Sequence, residues 1–216
     1  QGVRTILSQM QLGLGMAILL RSQAKFKIIY KLIFFFPNVI AVAVVAYVFN
    51  KIYDNNFGEL NLFLESIRLS FLTHPWLGDP NTALYALMIA NIWQWTGFSF
   101  LLYHAGMTQI NEELYESARI DGANLFAIVK NIIIPLLKPT HIALLILGVI
   151  GTLKTFDIIY LTTKGGPARS TEFLSTYIFQ KGILEFKASY ASTMALMIVV
   201  IALILTILQV KGYNRK

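Results

Sequence analysis

The chain has 216 residues, of which 56% are hydrophobic and 13% are charged, and its mean hydropathy is +0.62. A soluble domain carries about 25% charged residues, so charge is depleted roughly twofold here. The charged residues lie in short segments between long apolar runs, which predicts an all-α polytopic membrane bundle rather than a soluble protein. The chain contains no cysteine, which excludes disulfides, thiolate metal sites and cysteine nucleophiles.

The formal net charge of +7 does not indicate a nucleic-acid partner. The cations flank apolar segments, where lipid headgroups are the expected contacts, and no basic helix is interleaved with exposed aromatic residues. We therefore expect membrane lipid as a partner and no nucleic acid.

Five predicted spans follow one another along the chain, at residues 5–20, 32–50, 83–103, 141–161 and 188–210. The first is short for a hydrocarbon core of about 30 Å. The second contains Pro37, which a membrane span tolerates. The sequence begins without methionine, in or just before a span, so we expect one N-terminal span to be missing from it.

Basic residues next to the spans predict which ends face the cytoplasm. Two groups of cations follow the first and the fifth spans: Arg21, Lys25, Lys27 and Lys31, then Lys211, Arg215 and Lys216. The positive-inside rule places both groups in the cytoplasm. Alternation then places residues 51–81 and 163–187 outside and residues 104–140 inside.

The outer segment 51–81 contains apolar residues at helical spacing: Leu60, Phe63, Leu64, Ile67 and Phe71. This spacing predicts an amphipathic helix that either lies at the membrane interface or packs against the spans from outside.

The longest polar stretch on the predicted cytoplasmic side is residues 111–140. Asn111 is a typical N-cap, and Glu112, Glu113 and Glu116 favour the N-terminal half of a helix that follows it. Leu114 and Ala118 form a narrow apolar face on that helix, with Tyr115 as a further candidate.

A turn and a second helix come next. Asp121-Gly122 is a strong turn signal, and a second helix is indicated by apolar residues at helical spacing: Leu125, Ile128, Val129 and Ile132. Pro135 and Pro139 mark its end or a kink before the fourth span. Two helices joined by a glycine turn would make a compact protrusion suited to a cleft on a soluble partner.

The same stretch resembles the EAA loop of binding-protein-dependent ABC importer permeases. That family pattern is Glu-Ala-Ala, three residues, Gly, nine residues, Ile, one residue and Leu-Pro. Here Glu116-Ser117-Ala118 is followed by Gly122, Ile132 and Ile134-Pro135. All the spacings fit, and the departures are Ser117 for Ala and Ile134 for Leu.

A second resemblance indicates which kind of importer permease the chain is most similar to. The segment from Phe156-Asp157 to Thr162, followed by Gly165-Gly166-Pro167, is similar to a segment of sugar-type permeases, and residues 76–80 fit the same group. It is more typical of the first of the two paired subunits, which resembles those of maltose and glycerol-phosphate importers.

The resemblance implies a type I ABC importer permease fold, with residues 1–216 as one transmembrane permease domain and residues 109–140 as its cytoplasmic coupling loop. It assigns to ATPase coupling the residues Glu116, Ser117, Ala118, Asp121, Gly122, Ala123, Ile132 and Pro135. In the family, closure of an ATPase dimer moves this loop and switches the spans between inward-facing and outward-facing states.

The resemblance also implies the partners of the chain. These are a second permease subunit in a heterodimer, an ATPase dimer and an extracytoplasmic sugar-binding protein, in the plasma membrane of a bacterium or archaeon. The chain contains no Walker A motif, so ATP and Mg would be held by the ATPase and no cofactor by this chain. We expect no enzymatic activity and no metal site, since His74, His104 and His141 are far apart in sequence.

Polar residues inside spans are costly and usually face a bundle interior or a pathway. Asn91, Gln94, Trp95 and Phe98 fall on one helical face of the third span. Amide groups can hydrogen-bond sugar hydroxyls, and aromatic rings can stack on the apolar face of a sugar. We therefore predict that this stripe lines the substrate pathway, with helix packing as the alternative.

In the fourth span, Gly148, Gly151 and Thr152 form a small-residue face. Close helix packing is the favoured interpretation, and Gly151 and Thr152 are the pathway candidates if the face admits a ligand.

The outer end of that span supplies a predicted gate formed by Asp157, Gly165, Gly166 and Pro167. Alternatively, Lys154 and Asp157 form an i,i+3 ion pair, which is the preferred interpretation for those two residues.

Two other functions stay open from the residues alone. One is an ion-coupled secondary transporter, although no carboxylates at mid-membrane and no symmetry between halves are evident. The other is a non-transporting membrane scaffold that uses the cytoplasmic helix pair. Co-purification of an ATPase would separate both from an importer permease.

Overall fold

The computed structural model describes residues 2–21 and 27–214. Its α-helices, in chain order, are α1 Gly2–Arg21, α2 Lys27–Val39, α3 Val42–Ile52, α4 Glu59–Ser66, α5 Ala83–Thr108, α6 Glu112–Ile120, α7 Leu125–Ile128, α8 Ile134–Leu136, α9 Lys138–Lys154, α10 Asp157–Thr162, α11 Leu174–Phe179 and α12 Ala188–Asn214. Within these residues there is no β-strand, as the all-α prediction requires. Three of the cations used to orient the spans, Lys25, Arg215 and Lys216, lie outside the described residues, as does the side chain of Lys27.

All five predicted spans are helical. Over the described ranges, Gly2–Arg21, Lys138–Thr162 and Ala188–Lys211 are long and apolar enough to cross a membrane, and the bent pair Ile28–Val39 and Val42–Ile52 counts as a fourth. Helix α5 has 26 residues and is therefore about 39 Å long, which is sufficient for a span. The polar residues along α5 lower its hydropathy, so length alone supports it as a fifth.

The second predicted span is broken, which corrects the expectation of one continuous helix over residues 32–50. Pro37 lies inside α2, where it removes a backbone donor, and the helix ends at Val39. The carbonyl oxygen of Ile40, in the break, accepts a hydrogen bond of 3.2 Å from Gln94 Nε2. A neighbouring side chain thus satisfies a backbone group that the break frees.

The described chain forms two compact units. The first unit contains the residues up to 39, residues 95–148 and those from 208 onward, and the second contains residues 40–94 and 149–207. The interpretation of residues 1–216 as one domain stays a prediction.

In the first unit, glycine allows α1 and α5 to pack closely. A Cβ added to Gly13 would lie 2.7 Å from the backbone nitrogen of Phe100. A Cβ at Gly148 in α9 would lie 2.8 Å from the side chain of Ile6. Small residues at helix contacts are typical of membrane bundles, and Gly148 therefore supports the packing interpretation of its face.

The second unit is built on an apolar cluster from α3, α5 and α10, made up of Val45, Phe49, Tyr53, Ala86, Leu87, Ala90, Ile158 and Ile159. Tyr53 donates its hydroxyl hydrogen to the carbonyl of Ala86 over 3.2 Å. The predicted outer amphipathic helix is present as α4, with Leu60 and Leu64 half-buried and Phe63 and Phe71 exposed. Phe71 lies beyond its end, in the 3-10 turn Ser70–Leu72.

Candidate functional site

The predicted cytoplasmic protrusion begins with α6. The side-chain oxygen of Asn111 accepts a hydrogen bond from the backbone N–H of Glu113 over 3.2 Å, so Asn111 is the N-cap, as predicted. Glu112 and Glu113 lie in the first turn, where negative charge is favoured by the helix dipole.

Helix α6 ends at Ile120, and a Schellman motif with Gly122 in the left-handed position follows it. The N–H of Ala123 donates to the carbonyl of Ala118 over 2.9 Å, and the N–H of Gly122 donates to that of Arg119 over 3.0 Å. Gly122 has a φ of +76°, a conformation that residues with a Cβ rarely adopt. A Cβ at this position would meet no atom within 4 Å, so the need for glycine comes from the backbone and not from crowding.

The second helix of the protrusion is less regular than its apolar spacing predicts. It begins at α7, which is capped by Asn124 through a 2.9 Å hydrogen bond from the N–H of Ala127. A π-helical turn, Val129–Ile133, follows, in which the N–H of Ile134 donates to the carbonyl of Val129. This turn shifts the hydrogen-bond register just before Pro135, which has no N–H to donate.

The two prolines bracket the end of this second helix, as expected. Pro135 lies in α8, Leu137 breaks the helix, and Pro139 lies in the first turn of α9. Proline is tolerated in a first turn because no intrahelical acceptor is lost there.

The inward face of α6 differs from the prediction. Tyr115 is 1% exposed, whereas Leu114 is 46% exposed and Ala118 is half-buried. The guanidinium carbon of Arg21 lies 3.4 Å from the centroid of the Tyr115 ring, and its Nη2 lies 2.7 Å from Glu112 Oε2. Tyr115 is therefore the inward residue of α6, and its ring receives this cation.

Burial raises the pKa of Tyr115, and the nearby Arg21 cation opposes that shift. The ring is therefore a neutral phenol near neutral pH, and the face of its π system is available to the guanidinium.

The tip of the protrusion carries exposed apolar side chains. We call Ile120, Leu125 and Phe126, which flank the glycine turn, the apolar tip, and they are 86%, 65% and 74% exposed. Glu116, Ser117 and Asp121 are also exposed. Large apolar groups at such exposure on a polar segment are typical of an interaction surface.

The remaining residues assigned to coupling lie in the same protrusion. Gly122 and Pro135 are exposed, while Ala118, Ala123 and Ile132 are half-buried. All eight residues belong to the first unit, and whether each contacts an ATPase stays a prediction.

The base of the protrusion is fixed where α5 meets the start of α9. The hydroxyl of Tyr103 lies 2.7 Å from His141 Nδ1, and a Cβ added to Gly106 would lie 2.8 Å from the side chains of Leu137 and Thr140. Tyr103 and Leu137 are each 1% exposed. A base packed this closely favours movement of the protrusion as one body.

Comparison with known proteins decides the family. The family model described as "Binding-protein-dependent transport system inner membrane component" matches residues 9–211. The chain belongs to this family. It is therefore a multi-pass inner-membrane component of a transport system.

Individual relatives of this chain also carry permease names. A probable ABC transporter permease protein, YurN of Bacillus subtilis, is 33% identical over 214 residues, which cover 98% of this chain and 73% of the relative. The trehalose/maltose transport system permease protein MalF of Thermococcus litoralis is 38% identical over 168 residues, which cover 78% of this chain and 56% of the relative.

A crystal structure of a bacterial ABC transporter involved in the import of alginate has the same fold. It matches with a TM-score of 0.86 and 23% identity, over 99% of this chain and 78% of the other. The predicted all-α ABC importer permease fold is confirmed.

The predicted pathway stripe of the permease contains both buried and exposed residues. In the second unit, Asn91 is half-buried, and Gln94 is 1% exposed with its Nε2 bound to the Ile40 carbonyl. In the first unit, Trp95 is 41% exposed and its ring centroid lies 6.4 Å from that of Phe98. Gln94 thus has a structural hydrogen bond that its spacing does not reveal.

On the fourth span, Gly151 is exposed, and a Cβ there would meet nothing within 4 Å. Gly151 therefore differs from Gly148, which packs on α1. Open space beside Gly151 is compatible with a ligand, and the role of Gly151 and Thr152 in a pathway stays a prediction.

The expected ion pair between Lys154 and Asp157 is absent from the described residues. Helix α9 ends at Lys154 and α10 begins at Asp157, so the two residues do not share the i,i+3 spacing of one helix. Lys154 instead lines a largely apolar cavity of about 610 Å³ in the second unit, with Phe156, Phe179 and Gly182.

Three of the predicted gate residues, Gly165, Gly166 and Pro167, lie in one hydrogen-bonded turn, whereas Asp157 begins α10. Gly165 has a φ of +89°, and the carbonyl of Gly166 accepts a 2.6 Å hydrogen bond from the hydroxyl of Thr171. Thr171 is 0% exposed and also lies 2.7 Å from the Thr163 hydroxyl. Thr171 was missed by the sequence analysis because nothing in its local pattern marks it as the centre of this turn.

Proposed function

We propose that this permease forms half of the translocation pathway of an ATP-driven sugar importer and is driven by a separate ATPase through residues 109–140. The observation that carries the proposal is the apolar tip, held at the end of a capped helix and a glycine turn. Water-exposed Ile120, Leu125 and Phe126 gain free energy when a partner covers them.

The ATPase is the partner that this tip fits. A groove with apolar walls would receive the tip, and a basic residue at its rim would pair with the exposed carboxylate of Glu116. ATP and Mg are held by that subunit, since the present sequence contains no phosphate-binding loop.

Sugar as the transported substrate is supported by the trehalose/maltose relative and by the resemblance of residues 156–167 to sugar-type permeases. Asn91 and Trp95 supply an amide and an exposed indole on α5, the groups that bind sugar hydroxyls and the apolar face of a sugar ring. Asp157 and the turn at Gly165, Gly166 and Pro167 are the proposed outer gate.

A second permease subunit completes the pathway, and an extracytoplasmic sugar-binding protein delivers the substrate. Helix α12 has an apolar surface suited to lipid and to a second subunit: within Ala188–Lys211, only 6% of the residues in an apolar 18-residue window are buried. The family description itself refers to binding-protein-dependent transport.

The test is purification of the tagged permease from its native membrane in a mild detergent. We expect an ATPase and a second permease to co-purify in amounts comparable to the tagged chain. The sugar carried by the associated binding protein would then be identified by mass spectrometry. Uptake that follows an ion gradient in vesicles without ATP, with no ATPase in the purified sample, would contradict the proposal.

The pathway stripe is tested separately in proteoliposomes with that sugar. Asn91→Ala and Trp95→Ala are expected to change the rate or the selectivity of uptake, while the ATPase still co-purifies. Unchanged uptake in both variants would assign the stripe to packing.

A further inference from the structure

Arg21, Glu112 and Tyr115 form a cluster between the last residue of α1 and the first turn of α6. One guanidinium makes both contacts: it donates a 2.7 Å hydrogen bond from Nη2 to Glu112 Oε2 and lies 3.4 Å above the Tyr115 ring. The two contacts join helices that are 91 residues apart in sequence.

The position of the cluster strengthens both contacts. Arg21 lies at the C-terminus of α1 and Glu112 at the N-terminus of α6, so each charge is also favoured by the dipole of its own helix. An exposed ion pair alone contributes about 0–1 kcal/mol. Here the Arg21 side chain is only 23% exposed and it covers a fully buried ring, so we expect a stronger contact than a surface pair provides.

No stretch of chain leads from α6 directly to α1. Helix α6 is covalently joined to α5 through residues 109–111 and to α7 through residues 121–124. Movement of α6 therefore reaches α1 through side-chain contacts, and the Arg21 cluster is one with a defined geometry and a charged hydrogen bond.

We propose that Arg21 is a positioning residue that fixes α1 to the coupling helix α6, so that displacement of α6 by the ATPase also displaces α1. This inference rests on the proposed function, because the ATPase supplies the displacement. Arg21 has no role in ATP hydrolysis or in substrate contact.

The chain offers a matched control. Arg169 pairs with Glu172 over 2.9 Å, and its guanidinium lies 5.6 Å from the ring of Tyr177. The residue types are the same, but all three lie in one short outer segment, so this cluster connects no separate helix to α6.

The experiment uses the purified complex with its ATPase and single cysteines introduced into a chain that has none. A fluorophore sensitive to its surroundings is attached at Val3→Cys on α1 or at Arg119→Cys on α6, both exposed positions. Trapping with Mg-ATP and vanadate is compared with the nucleotide-free state. Each label is measured without further substitution, with Arg21→Ala and with Arg169→Ala.

We expect both labels to respond in the otherwise unsubstituted complex. With Arg21→Ala, the Val3 response should be largely lost, while the Arg119 response is retained. Arg169→Ala should leave both responses unchanged. Retention of the Val3 response in Arg21→Ala would overturn the inference.

Two further variants guard against a folding defect. Tyr115→Phe keeps the ring below the guanidinium and should retain the Val3 response, whereas Tyr115→Leu should reduce it. Equal responses in these two variants would contradict a role for the stacked cation.

If the proposed function is wrong, the labelling experiment gives a different result. In that case the Arg119 label on α6 would not respond to nucleotide even without further substitution, and the inference would fall with the function. A responding α6 together with an α1 that moves independently of Arg21 would overturn the inference alone.

Discussion

The coupling segment, residues 109–140, and the outer segment, residues 163–187, are built from the same local parts. Each contains a glycine with positive φ, Gly122 at +76° and Gly165 at +89°. Each contains a short helix that continues into a π-helical turn. In each, a glutamate pairs with an arginine that lies over a tyrosine ring, but the arginine of the coupling segment, Arg21, is supplied by α1.

The two segments differ in how far along the sequence their charged and polar side chains find partners. In the outer segment, the bonds of Thr171 to residues 163 and 166, the pair of Arg169 with Glu172, and the pairs of Glu185 with Lys181 and Lys187 are all local. In the coupling segment, Arg21 binds from another helix, Tyr103 and His141 fix the base, and the apolar tip stays exposed among the residues that the structure describes. The ion pairs and the Thr171 bonds of the outer segment are thus local, although Ser175 and Phe179 also contact Thr155 and Phe156. The coupling segment instead joins an exposed apolar surface to the spans.

The largest effect should come from a charge in the apolar tip. Phe126→Asp places a carboxylate where we propose an apolar groove, and loss of a central aromatic contact costs about 2–4 kcal/mol, or roughly 30-fold to 1000-fold in affinity. The amount of ATPase that co-purifies with the permease is the measurement. Phe186→Asp, at an 89% exposed position in the outer segment, is the control and should leave that amount unchanged. Equal amounts of co-purified ATPase in the two variants would contradict the distinction between the two segments.

The next effect should come from the glycine turn. Gly122→Val forces a β-branched residue into the left-handed conformation at a cost of about 1–2 kcal/mol, which should alter the angle between α6 and α7 and lower ATPase activity stimulated by the binding protein. Gly122→Asn, which tolerates that conformation, should retain most activity. Gly165→Val is the matched variant in the outer segment. Gly165 also has a positive φ, but its substitution should leave association with the ATPase intact.

A smaller effect is expected from the exposed carboxylate of the coupling helix. Glu116→Lys reverses a charge that we pair with a basic residue of the ATPase, and a lost charged hydrogen bond costs about 1.5–3 kcal/mol, part of which solvent screening removes. Stimulated ATPase activity should fall about tenfold or less, and the loss should grow as ionic strength is lowered. Glu172→Lys in the outer segment should show neither change.

The smallest effect is expected from the local cluster of the outer segment. Arg169→Ala removes a surface pair spaced i,i+3, and such pairs contribute about 0–1 kcal/mol. Thermal unfolding of the purified complex should therefore shift by no more than a few degrees, with transport retained. A large loss of stability would show that this pair contributes more than an exposed surface pair does.

Much of the coupling segment could be predicted because its structure is local. The cap at Asn111, the break at Gly122 and the effect of Pro135 each follow from the chemistry of one residue and its near neighbours. The register shift before Pro135 and the inward position of Tyr115 could not be predicted in this way. They depend on how the second helix joins α9 and on a cation that α1 supplies.

The sequence by itself determined the membrane class, most of the helical segments and the family, and it predicted the site of coupling. These depend on apolar run length, on residues within a few positions of each other and on spacing along one segment. The tertiary structure alone decided that Gln94 binds the free carbonyl of Ile40, that Gly148 packs while Gly151 stays open, and that Lys154 and Asp157 do not pair. It also decided that Arg21 reaches Glu112 and Tyr115. Contacts between residues tens of positions apart arise from helix packing, which no local pattern encodes.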